Sequence, residues 1–194
     1  MPSPPQPSPL ILASSSPRRR DLLNEANFSF TIIPSPAEEI HDASLPPHEL
    51  TEHNARLKAQ AVAPNHPNAT VIGADTLVFI DHQPLGKPRD LPHAIEMLET
   101  LTGRTHQVCT GVCLTRHATN QTHCFHEITH VTFLPLTRPQ IESYLEKINP
   151  LDKAGAYAAQ DHGNLIIEKT EGSWTNVVGL PITRLKSELT PFLP

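Results

Sequence analysis

The sequence predicts an α/β protein built on a mixed, twisted β-sheet with flanking helices. Three observations predict it. An apolar run at 10–13 leads through Ser14-Ser15-Ser16-Pro17 and three consecutive arginines into a helical pattern. The segment 70–80, TVIGADTLVFI, is near-continuously apolar, as a strand buried on both faces must be. Helical and strand patterns then alternate along the chain, which is how helices come to pack on a sheet.

Residues 10–13 are short, apolar and flanked by turn formers, which suits a buried strand. Ser16 can cap the following helix with Pro17 at its first position, and Leu22, Leu23 and Ala26 give that helix an inward face. Residues 28–33 read as the next strand, 34–47 as a loop carrying Glu38, Glu39 and Asp42, and 48–63 as a helix. After the 70–80 strand, HQPLG reads as a turn. Asp90 caps a helix through Ala94, Met97, Leu98 and Leu101, and Gly103 closes it. Residues 106–117 and 122–134 read as a hairpin around Thr119, Asn120 and Gln121, followed by a helix over 137–147. The glycine- and alanine-rich DKAGAYAAQDHG has little of its own to pack. Residues 165–168 and 174–178 suit two short strands, and 180–189 a last helix.

The 194 residues suffice for one large domain or two small lobes with a real core. A net charge of −5 argues against generic nucleic-acid binding, which needs a basic footprint. It also makes the Arg18-Arg19-Arg20 run stand out from its background. Cys109, Cys113 and Cys124 are an odd count without CxxC spacing, so the expectation is a reducing cytoplasm and no disulfide framework. No apolar run is long enough to span a membrane, so no membrane partner is expected. Residues 1–9, MPSPPQPSP, lack the basic and apolar regions of a signal peptide. They read as a disordered proline-rich tail before a single domain over 10–194.

Asp75 lies inside the apolar strand, where a carboxylate is costly unless it is paired, binds metal or opens into a cleft. Upstream, a strand delivers Ser14, Ser16 and the arginines to a helix N-terminus. Hydroxyls, free backbone N–H groups and positive charge together hold phosphate. Successive helix residues are about 100° apart, so at most two arginines face one ligand, and Arg20 is the one left to solvent. Lys58 on its helix and Lys87 in a Gly-Lys-Pro turn could complete a phosphate clamp. Glu38 and Glu39, with Asp75, would suit Mg²⁺, which prefers one or two carboxylates plus phosphate oxygens. Neither GxSxG, GxxxxGK[ST], GxGxxG nor HExxH occurs. His117, His123, His126 and His130 gather on the hairpin at no known zinc spacing. Cys109 and Cys113, about 13 Å apart along a strand, cannot share a metal directly.

Eight stretches together resemble the Maf family of nucleoside triphosphate pyrophosphatases. They are LILASSSPRRRDLL (10–23), AEEI (37–40), NARLKA (54–59), VIGADTLV (71–78), LGKPRD (85–90), MLETLTGRTHQVCTGV (97–112), PLDKAGAYAAQDHG (150–163) and GSWTNVVGLPITRL (172–185). They run in family order over nearly the whole chain after the tail. S-P-R-R, G-A-D-T and A-G-A-Y-x-x-Q resemble the branch acting on dTTP and UTP, where the 7-methyl-GTP branch tends to S-P-W-R and G-S-D. One departure is Ala159 before Gln160, where the family more usually has Ile or a similar residue.

The resemblance implies two lobes around a central cleft and hydrolysis between the α and β phosphates to a nucleoside monophosphate and pyrophosphate. Asp75 matches the catalytic proton acceptor. Arg18, Thr76 and Gln160 match positions linked to base specificity, and Ser14, Arg19, Glu39, Lys58 and Lys87 match other cleft residues. Mg²⁺ or Mn²⁺ is the implied cofactor, held by Asp75 and Glu39, and a homodimer is usual for the resemblance. Two other readings stay open: a pyrophosphatase clearing ITP or XTP, and a non-enzymatic regulator of septum formation.

Overall fold

A computed structural model describes residues 9–42 and 44–192. The tail assigned to residues 1–8 lies outside the described residues. Pro9, expected to belong to it, instead accepts the Thr70 N–H at 2.9 Å and opens the sheet ladder.

The sheet runs β2-β1-β3-β5-β6-β7 with β4 also on β3. Its strands are β1 (Leu10–Leu12), β2 (Thr31–Ile32), β3 (Thr70–Ile80), β4 (Gln83–Leu85), β5 (Thr105–Arg116), β6 (Gln121–Phe133) and β7 (Ile167–Glu171). β1 pairs in parallel with β2 and β3, and the other pairings are antiparallel, so the sheet is mixed as expected. The helices are α1 (Pro17–Glu25), α2 (Pro47–Val62), α3 (Leu91–Leu101), α4 (Arg138–Leu145), α5 (Trp174–Val178) and α6 (Ile182–Leu189).

Side chains alternate across a strand, so β3 feeds two faces. Val71 packs with Ala55, Ala59 and Val62 of α2, while Leu77 and Phe79 pack with Leu50. On the other face Ile72 and Ala74 join Leu22, Leu23, Leu185 and Leu189, under α1 and α6. Val78 and Ile80 join Leu98, Leu101, Ile141 and Tyr144, under α3 and α4. The second face is thus covered by two apolar lobes, and Thr76 lies between them.

Gly73 and Gly111 let α2 sit directly on the sheet. A Cβ on Gly73 would lie 2.0 Å from the Ala55 carbonyl oxygen, and one on Gly111 2.3 Å from the carbonyl carbon of Thr51.

Four local expectations need correction. The strand expected at 28–33 shrinks to Thr31–Ile32, because Phe28 and Phe30 satisfy their apolar pattern by packing against the α1–α6 cluster. The turn expected at HQPLG contains a strand, β4, folded back on β3. The strand expected at 165–168 starts at Ile167 and runs to Glu171. The strand expected at 174–178 is a helix. Ser173 caps it by accepting the Asn176 N–H, and the Asn176 side chain donates to Val108 O and Thr129 Oγ1. These contacts override the strand preference of Val177 and Val178.

Candidate active site

β3 is paired on one edge by β5 from Val71 to Phe79. On its other edge β1 stops at Ile72, and β4 begins only at Val78. Five residues, 73–77, lie between the two pairings, a span of about 20 Å at strand rise. Both flanking strands end with their C-termini at this gap. β1 continues as Ala13-Ser14 into α1, and β4 continues as Gly86-Lys87. Open strand ends of this kind are where α/β sheets bind ligands. A cleft of about 690 Å³ fills the gap, a size within the usual range for small-molecule sites.

The nine residues that the family resemblance implies at the site all line this cleft: Ser14, Arg18, Arg19, Glu39, Lys58, Asp75, Thr76, Lys87 and Gln160. Asp75 and Thr76 point to opposite faces of β3, yet both reach the cleft because the edge beside them is bare. Asp75 is 4% exposed, and burying a lone carboxylate there would cost several kcal/mol. Lys58 Nζ donates to its Oδ1 at 2.9 Å and Asn54 Nδ2 to its Oδ2 at 3.0 Å. Each carboxylate oxygen keeps a second lone pair for the cleft. Lys58 also donates to Ala74 O at 3.2 Å, satisfying a carbonyl on the bare edge, and pairs with Glu39 Oε1 at 2.6 Å. Glu38 is exposed and does not line the cleft.

Asn54 is a residue that single-motif reasoning passes over. Its Oδ1 accepts the Ile40 N–H at 2.9 Å, and its Nδ2 also donates to Ile40 O at 3.1 Å. It therefore ties the loop carrying Glu39 to Asp75. The available signal is spacing: Asn54 and Lys58 are four apart in NARLK and share one helix face.

Ser16 caps α1, accepting the Arg19 N–H. Arg19 is buried. Its Nε donates to Gly179 O at 2.9 Å, Nη1 to Ser14 Oγ at 3.2 Å and Nη2 to Thr76 Oγ1 at 3.1 Å. Burial pulls its pKa below the ordinary value, while the negative charges of Asp75 and Glu39 pull it back up; an arginine stays cationic throughout. With three of five N–H groups engaged, Arg19 braces the two walls and still has donors to offer. Arg18 is half-buried, 3.8 Å from Asp152. Arg20 is exposed and paired to Asp21, as expected. Thr76 Oγ1 is fixed by Thr110 Oγ1 at 2.9 Å. Gln160 and Lys87 stand exposed at the rim.

Lys153, also unforeseen, lines the cleft at 7% exposure and is held by Asn149 O and Asp152. It belongs to a tight turn, with Gly155 and Ala156 both at positive φ. Gly155 is needed there, since a Cβ would meet Val78 Cγ2 at 2.9 Å. The lining then carries five cationic side chains, Arg18, Arg19, Lys58, Lys87 and Lys153, against three carboxylates. In an acidic chain this local surplus draws anions to the cleft.

Among the described residues, no three His, Cys, Asp or Glu side chains form a metal cage. Two of the hairpin histidines are engaged elsewhere: His126 Nδ1 meets Glu52 at 2.6 Å and His123 Nε2 meets Glu188 at 2.8 Å. No helix among the described residues is long and apolar enough to cross a membrane.

The fold and cleft define an α/β protein with a surplus of positive charge in one cleft around a buried carboxylate. The chain belongs to the Maf family: the family described as "Maf-like protein" matches residues 9–192. It is 49% identical over 174 residues to a dTTP/UTP pyrophosphatase of Akkermansia muciniphila, covering 90% of this chain and 91% of that protein. It is 45% identical over 183 residues to a dTTP/UTP pyrophosphatase of Bacillus velezensis, covering 94% of this chain and 96% of that one. A HAM1 protein from Coxiella burnetii superposes with a TM-score of 0.48 at 15% identity, over 64% of this chain and 72% of that one.

Proposed function

We propose that the chain is a nucleotide diphosphatase that hydrolyses dTTP and UTP to the monophosphate and pyrophosphate. The observation that carries this is the gathering of Arg18, Arg19, Lys58 and Lys87 around the Asp75 carboxylate in one cleft. The names of the similar proteins from Akkermansia muciniphila and Bacillus velezensis support the substrate.

Asp75 orients the attacking water at the α-phosphorus and takes its proton. Lys58 and Asn54 keep that carboxylate aimed. Ser14, the Arg18 backbone N–H and the Arg19 guanidinium hold phosphate oxygens, and Lys87 with Arg19 offsets the charge of departing pyrophosphate. Gln160 offers one donor and one acceptor, matching the N3–H and O4 edge of thymine or uracil. Arg18 and Thr76 flank the base. Glu39 and Asp75 fit a divalent cation, Mg²⁺ or Mn²⁺, because both carboxylates already converge on one cationic atom, Lys58 Nζ. Bound there with phosphate oxygens, it would supply Lewis-acid polarisation of the α-phosphoryl group.

A panel of nucleoside triphosphates, assayed for pyrophosphate release with Mg²⁺ and with Mn²⁺, tests the reading. The expected result is kcat/KM highest for dTTP and UTP. A preference for ITP or XTP would move the chain to purine clearance, and no turnover of any nucleotide would sink the enzymatic reading.

A further inference from the structure

A second cluster of reactive groups lies away from the cleft, where α2 crosses the β5–β6 hairpin. Cys113 and Cys124 are directly opposed across the two strands. Opposed residues in an antiparallel pair have Cα atoms about 4.5 or 5.5 Å apart, and both separations fall within the range that a disulfide spans. Cys113 is fully buried and Cys124 half-buried, and both thiols are free. The Arg56 guanidinium, exposed on α2, is close enough to Cys124 for its positive charge to favour the thiolate. Glu52, one turn earlier, is occupied by His126 at 2.6 Å.

We propose that Cys113 and Cys124 form an oxidation site at which a hydroperoxide converts the pair reversibly into a disulfide. Cys124 is the attacking thiol and Cys113 the resolving one. The Cys124 thiolate attacks the peroxide O–O bond, giving a sulfenic acid and, with one proton, water or an alcohol. The Cys113 sulfur then displaces the sulfenic hydroxyl, which leaves as a second water with the Cys113 proton. Two thiols are oxidised by two electrons and one peroxide is reduced.

The local chemistry divides the roles in this direction. The opposed Cys113 thiol, joined by the Arg56 charge, brings the Cys124 thiol down to about 7 against desolvation and Glu52. The opposed Cys124 and burial push Cys113 up. An accessible low-pKa thiol beside a resolving cysteine is the arrangement that peroxide selects. Cys109 lacks it: buried beside Thr51, its thiol is raised to about 11.

The test treats the intact full-length protein with graded hydrogen peroxide and reads its mass. The expected product is lighter by two hydrogens, reverts with dithiothreitol, and after tryptic cleavage at Arg104 and Arg116 retains a linked peptide pair whose fragmentation places the bond between Cys113 and Cys124 rather than at Cys109. Cys113→Ser should stop at a dimedone-trappable sulfenic acid on Cys124, and Arg56→Gln should slow the reaction several-fold at neutral pH by removing one of the groups that favour the thiolate. Alkylation of the wild-type protein against pH needs no variant to fold, and should place the Cys124 midpoint near 7. A midpoint at or above the ordinary thiol value, a Cys124 oxidised no faster than Cys109, or disulfides formed only between chains would each overturn the proposal.

Discussion

The Asn54 amide lies 3.0 Å from the Asp75 carboxylate, and the same side chain closes two hydrogen bonds on the Ile40 backbone. One helix residue thus sets both the aim of the central acid and the position of the loop bearing Glu39. Asn54→Ala should lower kcat for dTTP by roughly 10- to 100-fold, the usual cost of losing a residue that orients a reactive group. KM should change little, because Arg18, Arg19 and Lys87 remain in place. Asn54→Asp sets a second carboxylate against Asp75, and should shift the acid limb of the kcat–pH profile upward. Equal losses in stability and activity, with an unmoved profile, would reduce Asn54 to a packing residue.

Asp75 and Gly111 are paired across β3 and β5. A side chain on Gly111 would push α2 off the sheet at Thr51, one turn before Asn54. Gly111→Ala should therefore cost about 2 kcal/mol or more, since the three nearest atoms, in Thr51 and Glu52, all belong to the backbone. Urea denaturation measures it, and a change within error of zero would show that α2 is free to shift.

His106 is 2% exposed, with Nε2 against the Tyr157 hydroxyl at 2.9 Å and Nδ1 without a partner. Burial holds its pKa down at about 4 against an ordinary 6.5. Between those values the unfolded chain binds a proton that the folded one excludes. Stability contributed by the neutral ring is therefore complete above 6.5 and is lost as pH falls toward 4, by up to about 3 kcal/mol. Comparing wild type with His106→Gln by denaturant titration isolates it from the other histidines: the gap between the two should close, or reverse, on acidification. A gap independent of pH would mean that His106 titrates normally.

Much of this was legible in the sequence, for identifiable reasons. β3 announces itself because burial on both faces forbids polar residues, and Asp75 stands out against that rule. Ser16-Pro17 marks α1 because cap chemistry is local. The helix at Trp174–Val178 was not legible, since Val177 and Val178 favour strand and the deciding contacts come from Val108 and Thr129, far away in sequence. The separation of Glu39 from Glu38 likewise depends on Lys58 across the fold. Lys153 carries no local signal, because it is the turn at Gly155 and Ala156 that brings it into the cleft.

The central claim is that Asp75 directs water to the α-phosphorus of dTTP. Turnover in ¹⁸O-labelled water, comparing wild type with Asp75→Asn, tests it most directly. The account predicts label in the monophosphate and none in pyrophosphate, with Asp75→Asn slower by about 10²-fold or more. Label in pyrophosphate, or near-normal turnover by Asp75→Asn with the metal present, would contradict it.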